Sequence, residues 1–185
     1  MASGTRFTLR LATPADVPAL RELIARSARG LSAGHYSSAQ IEGALQGAFG
    51  VDASLIEDGT YFAVVAESGE LVACGGWGRR RTLFGSSSRP ERDESWLDPR
   101  TEAARIRAFF VDPQRARQGL ARMLLERSES EARRAGFATM ELMATLPGIP
   151  FYERCGYLRG AALDYPVPGG AHLPLVAMSK RIAPD

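Results

Sequence analysis

The chain has 185 residues, enough for one hydrophobic core and too few for two, so a single domain over residues 1–185 is expected. Lys plus Arg number 23 against 21 for Asp plus Glu, a formal net charge of +2, which excludes a strongly basic nucleic-acid arm and an acidic tail but leaves room for a local basic patch. No apolar run has the length of a membrane span, the N-terminal stretch carries no apolar signal core, and Cys74 and Cys155 cannot build a disulfide framework. A reduced, cytoplasmic setting without nucleic acid or membrane as partner is the expectation.

Residues 7–12 alternate Phe7, Leu9 and Leu11 with polar side chains, as a half-buried strand does. Thr13, Pro14 and Asp16 then form a helix start, and Val17, Leu20, Leu23 and Ile24 keep helical spacing to about residue 28, before Gly30 and Gly34. A second helix is expected from Ser37 to Gly50. Residues 61–67 and 71–77 read as a hairpin around Ser68-Gly69. Residues 78–99 form a long polar loop, and strand character returns over 104–111. A helix over 119–136 ends at Gly136, a strand follows at 139–144, and a short helix at 148–155. Residues 158–163 and 173–179 close the chain as strands. The order β-α-α-β-β-β-α-β-α-β-β is mixed α/β.

The chemistry is concentrated where the strand ending at Val111-Asp112-Pro113 runs through arginines and Gly119 into a long helix. A helix N-terminus presents unpaired N–H groups and the positive end of a dipole. Gly119 and Ala121 lack bulk, and Arg117 and Arg122 add charge, so the segment can cradle a pyrophosphate; the alternative is a plain strand–helix turn. It carries neither the G-x-G-x-x-G fingerprint nor a Walker loop, and no Cys/His spacing suggests a metal site.

Val111-Asp112-Pro113 followed by Ala116-Arg117-Gln118-Gly119-Leu120-Ala121 resembles the signature of the GNAT superfamily of acyl-CoA-dependent N-acetyltransferases, V-x-P and then Q/R-x-x-G-x-G/A. Ala116 departs from that pattern, with Arg115 and Arg117 on either side of it. Gly148-Ile149-Pro150-Phe151-Tyr152-Glu153-Arg154-Cys155-Gly156-Tyr157 is similar to a second family segment, A-x-x-F-Y-x-x-x-G-F, and Thr145 stands where many members have Asn.

The resemblance implies the acyl-CoA N-acyltransferase fold: a mostly antiparallel sheet with splayed central strands flanked by helices. It further implies that Phe109, Phe110 and Val111 line the pantetheine arm of acetyl-CoA and that backbone N–H groups from Arg117 through Gln118, Gly119, Leu120 and Ala121 to Arg122 hold the pyrophosphate. Thr145 would take the place of the Asn that holds the pantetheine. Core packing is the alternative for the two phenylalanines. The implied reaction is direct attack of a neutral amine on the thioester, with a fourth-strand N–H polarising the carbonyl.

Tyr152 matches the family's proton donor, the alternative being a packing aromatic. Glu102 lies where some members place a carboxylate base, the alternative being a solvated loop acid, with Asp98 a weaker candidate. His35 and Tyr36 fall in a region that walls the family's acceptor pocket, and Trp77 with Arg79, Arg80 and Arg81 follows the third strand. The arginines would form a solvated face or guide an anion. The leading expectation is an acetyl-CoA-dependent N-acetyltransferase acting on a small-molecule primary amine, without a metal. Protein or peptide acetylation and a non-catalytic acyl-CoA sensor are the rivals. Pairing through the C-terminal strands into a homodimer is a further implication.

Overall fold

A computed structural model describes residues 7–88 and 92–182, so residues 89–91 of the expected 78–99 loop lie outside the described residues. The elements are β1 (Phe7–Leu11), α1 (Val17–Ser32), α2 (Ser38–Ala44), α3 (Ala53–Glu57), β2 (Tyr61–Ala66), β3 (Leu71–Gly78), β4 (Ala104–Val111), α4 (Leu120–Arg134), β5 (Thr139–Thr145), α5 (Ile149–Arg154), β6 (Leu158–Pro166) and β7 (His172–Arg181). They form a seven-stranded sheet in the order β1-β2-β3-β4-β5-β7-β6. Every neighbouring pair is antiparallel except β4–β5, which is parallel and is bridged by α4. Among the described residues no helix is long and apolar enough to cross a membrane.

Strand alternation divides the core into two layers. Phe62 and Val64 of β2 face the α4 side, where Leu120, Leu124 and Met140 pack. Tyr61 and Ala63 face the α1 side, with Leu20, Leu23 and Ile24. The helices supply the matching stripes: Leu20, Leu23, Ile24, Ser27 and Ala28 are the buried face of α1.

Two helix boundaries differ from expectation. α1 continues through Gly30 to Ser32, because the Pro113 ring packs against Gly30 where a Cβ would sit 2.4 Å from its Cγ. The glycine there makes room for a neighbour and does not end the helix. α2 starts at the expected Ser37 cap, whose hydroxyl accepts from the Gln40 N–H, but it closes at Leu45. The chain then turns, and α3 begins at the buried Asp52, an element with no counterpart in the sequence reading.

Candidate functional site

β4 and β5 pair only at Ala104–Met140 and Arg105–Glu141, and beyond that they part into a V. On the other side of β4 the register to β3 slips: Cys74 faces Phe110 and Gly76 faces Arg107, so Ala108 and Phe109 together oppose Gly75. This is a β-bulge, and Ala108 sits in left-handed backbone at φ 52 to form it. The Tyr61 hydroxyl donates to the Ala108 carbonyl at 3.1 Å, which fixes the bulge from beneath. Asp112 N–H donates to Val72 O at 2.8 Å, while Val111 N–H turns away from β3 and donates to the Ser27 hydroxyl at 3.1 Å.

The V contains a cavity of about 240 Å³. Phe109 and Phe110 are neighbours in β4 and enter opposite layers. The Phe109 ring lies 6.5 Å from the Tyr152 ring, and Phe110 meets Phe49 edge-on at 5.8 Å. Tyr152 is 8% exposed and lines the cavity; its ring packs on Phe151 and Tyr157. Among the described residues its hydroxyl has no hydrogen-bond partner. Burial pushes this phenol well above its ordinary value, so it stays a proton carrier through the neutral and alkaline range. Gly148 lies beside it: a Cβ there would come 3.2 Å from Thr145 Oγ1 and 3.5 Å from the Tyr152 ring, and Thr145 and Gly148 both line the cavity.

At the mouth of the V, the segment before α4 takes a shape that few residues adopt. Arg117 has φ 62 and Gly119 has φ 82. Left-handed residues alternating with right-handed ones turn successive backbone N–H groups toward one side, a concavity suited to anions. α4 has no side-chain cap, so its first N–H groups are free for a ligand. Arg117, Gln118, Gly119 and Arg122 are exposed, Leu120 is buried, and Ala121 lines the cavity. Asp112 anchors the approach by accepting from Gln114 N–H at 2.9 Å and from Arg26 at 3.1 Å. An uncapped helix start with exposed arginines, opening onto an apolar cleft with a free strand edge, fits a ligand that has a diphosphate, an amide-bearing arm and a small acyl end.

The model of the acetyltransferase (GNAT) family matches residues 20–157, which is more than half of the chain. The chain belongs to the GNAT acetyltransferase family. Solved structures with the same fold include a GCN5-related N-acetyltransferase from Rhodopseudomonas palustris, with a TM-score of 0.71 at 17% identity, covering 98% of this chain and 99% of that one. The PaiA N-acetyltransferase from Thermoplasma acidophilum in complex with coenzyme A has a TM-score of 0.62 at 13% identity, covering 96% and 99%. The ribosomal-protein-S18-alanine N-acetyltransferase of Escherichia coli has a TM-score of 0.60 at 20% identity, covering 96% and 95%. No curated protein sequence matches the chain. The activity of this GNAT protein is acetyl-CoA-dependent N-acetyl transfer.

The structure gathers Phe109, Phe110, Val111, Ala121, Thr145 and Tyr152 of this acetyltransferase around one cavity. It does not bring the acceptor-side expectations there. Trp77 is 3% exposed on the α4 side of β3, meets Phe137 edge-on at 6.1 Å and donates to Glu131 at 3.2 Å. Tyr36 is buried; its hydroxyl donates to Pro174 O at 2.6 Å and accepts from Leu146 N–H at 2.9 Å, tying the α1–α2 turn to β7 and to the end of β5. His35 is exposed and outside the cavity wall. Glu102 is held by two Arg81 nitrogens, at 2.7 and 3.0 Å, and by Asp98 N–H at 2.8 Å. The Asp98 N–H first, and the Arg81 guanidinium with it, keep this carboxyl below its ordinary value, which makes it a weak base. Asp98 itself pairs with Arg100.

The three arginines after β3 are structural ties. Arg80 pairs with Asp58 at 2.6 Å and stacks on Trp96, while Arg81 holds Glu102. The residue with the largest unforeseen role is Arg107 of β4. It lines the cavity, is 3% exposed, and donates to Thr82 O at 2.6 Å, Gly85 O at 2.8 Å and Asp52 at 2.5 Å. Arg92 reaches the other Asp52 oxygen at 2.9 Å. The only sequence signal was an arginine inside an apolar strand, which in a buried strand demands a partner.

Proposed function

We propose that this acetyltransferase moves the acetyl group of acetyl-CoA onto the primary amine of a small molecule. The observation that carries the choice of acceptor is the path of the segment after β3. Leu83, Phe84 and Gly85 form part of the cavity wall, and Phe84 meets Tyr165 of β6 edge-on at 5.0 Å, on the α1 side of the sheet. Asp52, Arg92 and Arg107 pin the same segment from within. A covered acceptor side suits a compact amine better than a polypeptide, which needs an open groove.

In this scheme the N–H groups from Arg117 to Arg122 hold the pyrophosphate, with Arg117 and Arg122 adding charge. Phe109, Phe110, Val111 and Thr145 line the pantetheine arm. Bound acetyl-CoA supplies an acetyl group already activated as a thioester. A backbone N–H of β4 at the open edge of the V polarises the carbonyl. Tyr152 provides the proton for the leaving sulfur, and its burial keeps that proton in place until sulfur needs it. Glu102 has no step here; its carboxylate fastens the loop to Arg81.

Release of CoA in the presence of a panel of small amines, set beside a panel of peptides with free N-termini or lysines, tests the reading. Turnover with small amines and none with peptides is expected. Turnover with peptides alone would overturn it.

A further inference from the structure

We propose that the acceptor is an apolar aromatic amine taken up in its uncharged form, with no carboxylate or imidazole among the described residues of the cavity wall to take its proton. This deepens the small-molecule reading above and rests on it. The α1 side of the cavity is walled by Leu31, Phe49, Phe84, Phe110, Met143 and Leu175. Leu31 is 37% exposed, so the wall remains apolar out to where it meets solvent. Among the described residues that line the cavity there is no Asp, Glu or His. The charged side chain in the wall is Arg107, whose guanidinium is already matched by Asp52 and by the Thr82 and Gly85 carbonyls.

An ammonium ion entering this space would give up its hydration and find no carboxylate among the described wall residues to replace it. It would also meet a guanidinium of like charge. The neutral amine avoids both costs and keeps its lone pair for attack. An alkylamine of ordinary basicity, with a pKa of about 10.4, is only about 0.04% neutral near pH 7, whereas an amine with a pKa well below 7 is almost wholly neutral. Selection for the neutral form is therefore selection for weak basicity.

The proton balance needs no base. Nitrogen attacks the thioester carbon, the C–N bond forms and the C–S bond breaks, and the electron pair of that bond leaves with sulfur. The proton that nitrogen then loses is the proton that sulfur gains, either directly or through the Tyr152 hydroxyl, which gives one and receives one. The products are a neutral amide and a thiol.

The test is kcat/KM against pH, from about pH 6 to about pH 9, for the full chain with acetyl-CoA and one of three acceptors: p-toluidine, benzylamine or putrescine. The p-toluidine profile should be flat on its acid side. The benzylamine profile should rise about tenfold per pH unit toward the pKa of benzylamine itself, and putrescine should be at least about 100-fold poorer than benzylamine at equal pH. Leu31→Asp, which places a carboxylate at the exposed rim, should narrow the benzylamine-over-putrescine preference by about tenfold. An acid limb fixed at one pH for acceptors of different basicity, or a preference for putrescine, overturns the inference and leaves the small-molecule reading standing. Turnover of peptide amines with none of the three overturns both.

Discussion

Asp52 accepts from the Arg107 guanidinium at 2.5 Å, and the two side chains keep 0% and 2% of their surface. They stand 55 residues apart, one capping α3 and the other in the middle of β4. Arg92 completes the group from the long loop at 2.9 Å, so one carboxylate joins three separate segments behind the acceptor wall. Removing one member of a buried charged group leaves the others without compensation, at about 3–5 kcal/mol. Asp52→Ala should therefore lower unfolding stability by that order in urea melts. Asp52→Asn, which still accepts a hydrogen bond, should cost less. In both variants, KM for the amine should rise more than KM for acetyl-CoA, because Gly85 and Phe84 are held from this side.

Tyr152 offers a separable prediction. Its hydroxyl makes no hydrogen bond among the described residues, and its ring is packed by Phe109, Phe151 and Tyr157. Tyr152→Phe keeps the packing and removes only the proton. Stability should change by less than about 1 kcal/mol, while kcat falls about 100-fold with KM for acetyl-CoA nearly unchanged. Steady-state kinetics beside a thermal melt reads both quantities. An unchanged kcat would reduce Tyr152 to a packing residue.

The left-handed backbone before α4 supplies a third. Gly119 has φ 82, and a Cβ added there would meet nothing within 4 Å, so any effect of a side chain comes from backbone strain. Gly119→Val should cost about 1–2 kcal/mol or shift the loop out of its turn. Acetyl-CoA affinity by calorimetry should then drop about tenfold or more. Gly119→Asn should retain most of the affinity, because asparagine tolerates this conformation. Equal losses for Val and Asn would point to a steric clash with ligand instead of strain.

What could be read from the chain, and what could not, follows from how far each feature depends on distant residues. The strands that begin at Tyr61 and Leu71 and the helix after Gly119 declare themselves by local periodicity and turns. The V-D-P strand end and the F-Y segment carry the family by short-range spacing, and the structure brings both to one cavity. Trp77 was misplaced because β3 is buried on both faces, so no alternation shows which side a residue takes. Gly30 looked like a stop because the reason for it, Pro113, lies far along the chain. Glu102 looked like a base because its position is right in the chain, but Arg81 and Asp98 occupy it in space. The α3 helix is too short to declare itself, and its capping Asp52 gains meaning only from Arg92 and Arg107.

The first turn carries a prediction about acid. Asp16 accepts from both Arg10 terminal nitrogens at 2.8 Å, and from the Thr13 N–H and hydroxyl at 2.8 and 2.9 Å. The Arg10 hydrogen bonds above all, with those from Thr13, hold this carboxyl well below the usual carboxylate range. A carboxyl whose pKa is lower in the folded state contributes stability above its unfolded value of about 3.9 and loses it as pH falls through the folded value. Asp16→Asn keeps an acceptor for Thr13 and removes the charge. Solvent screening at this rim limits the loss at pH 7 to about 1 kcal/mol. The gap between wild type and variant should be constant from neutral pH down to about pH 5 and then close as the wild-type carboxylate takes its proton. High salt should shrink the neutral-pH gap, since Arg10 is 42% exposed. Urea melts at several pH values check this, and a gap that widens in acid would mean that Asp16 stabilises the turn in its protonated form.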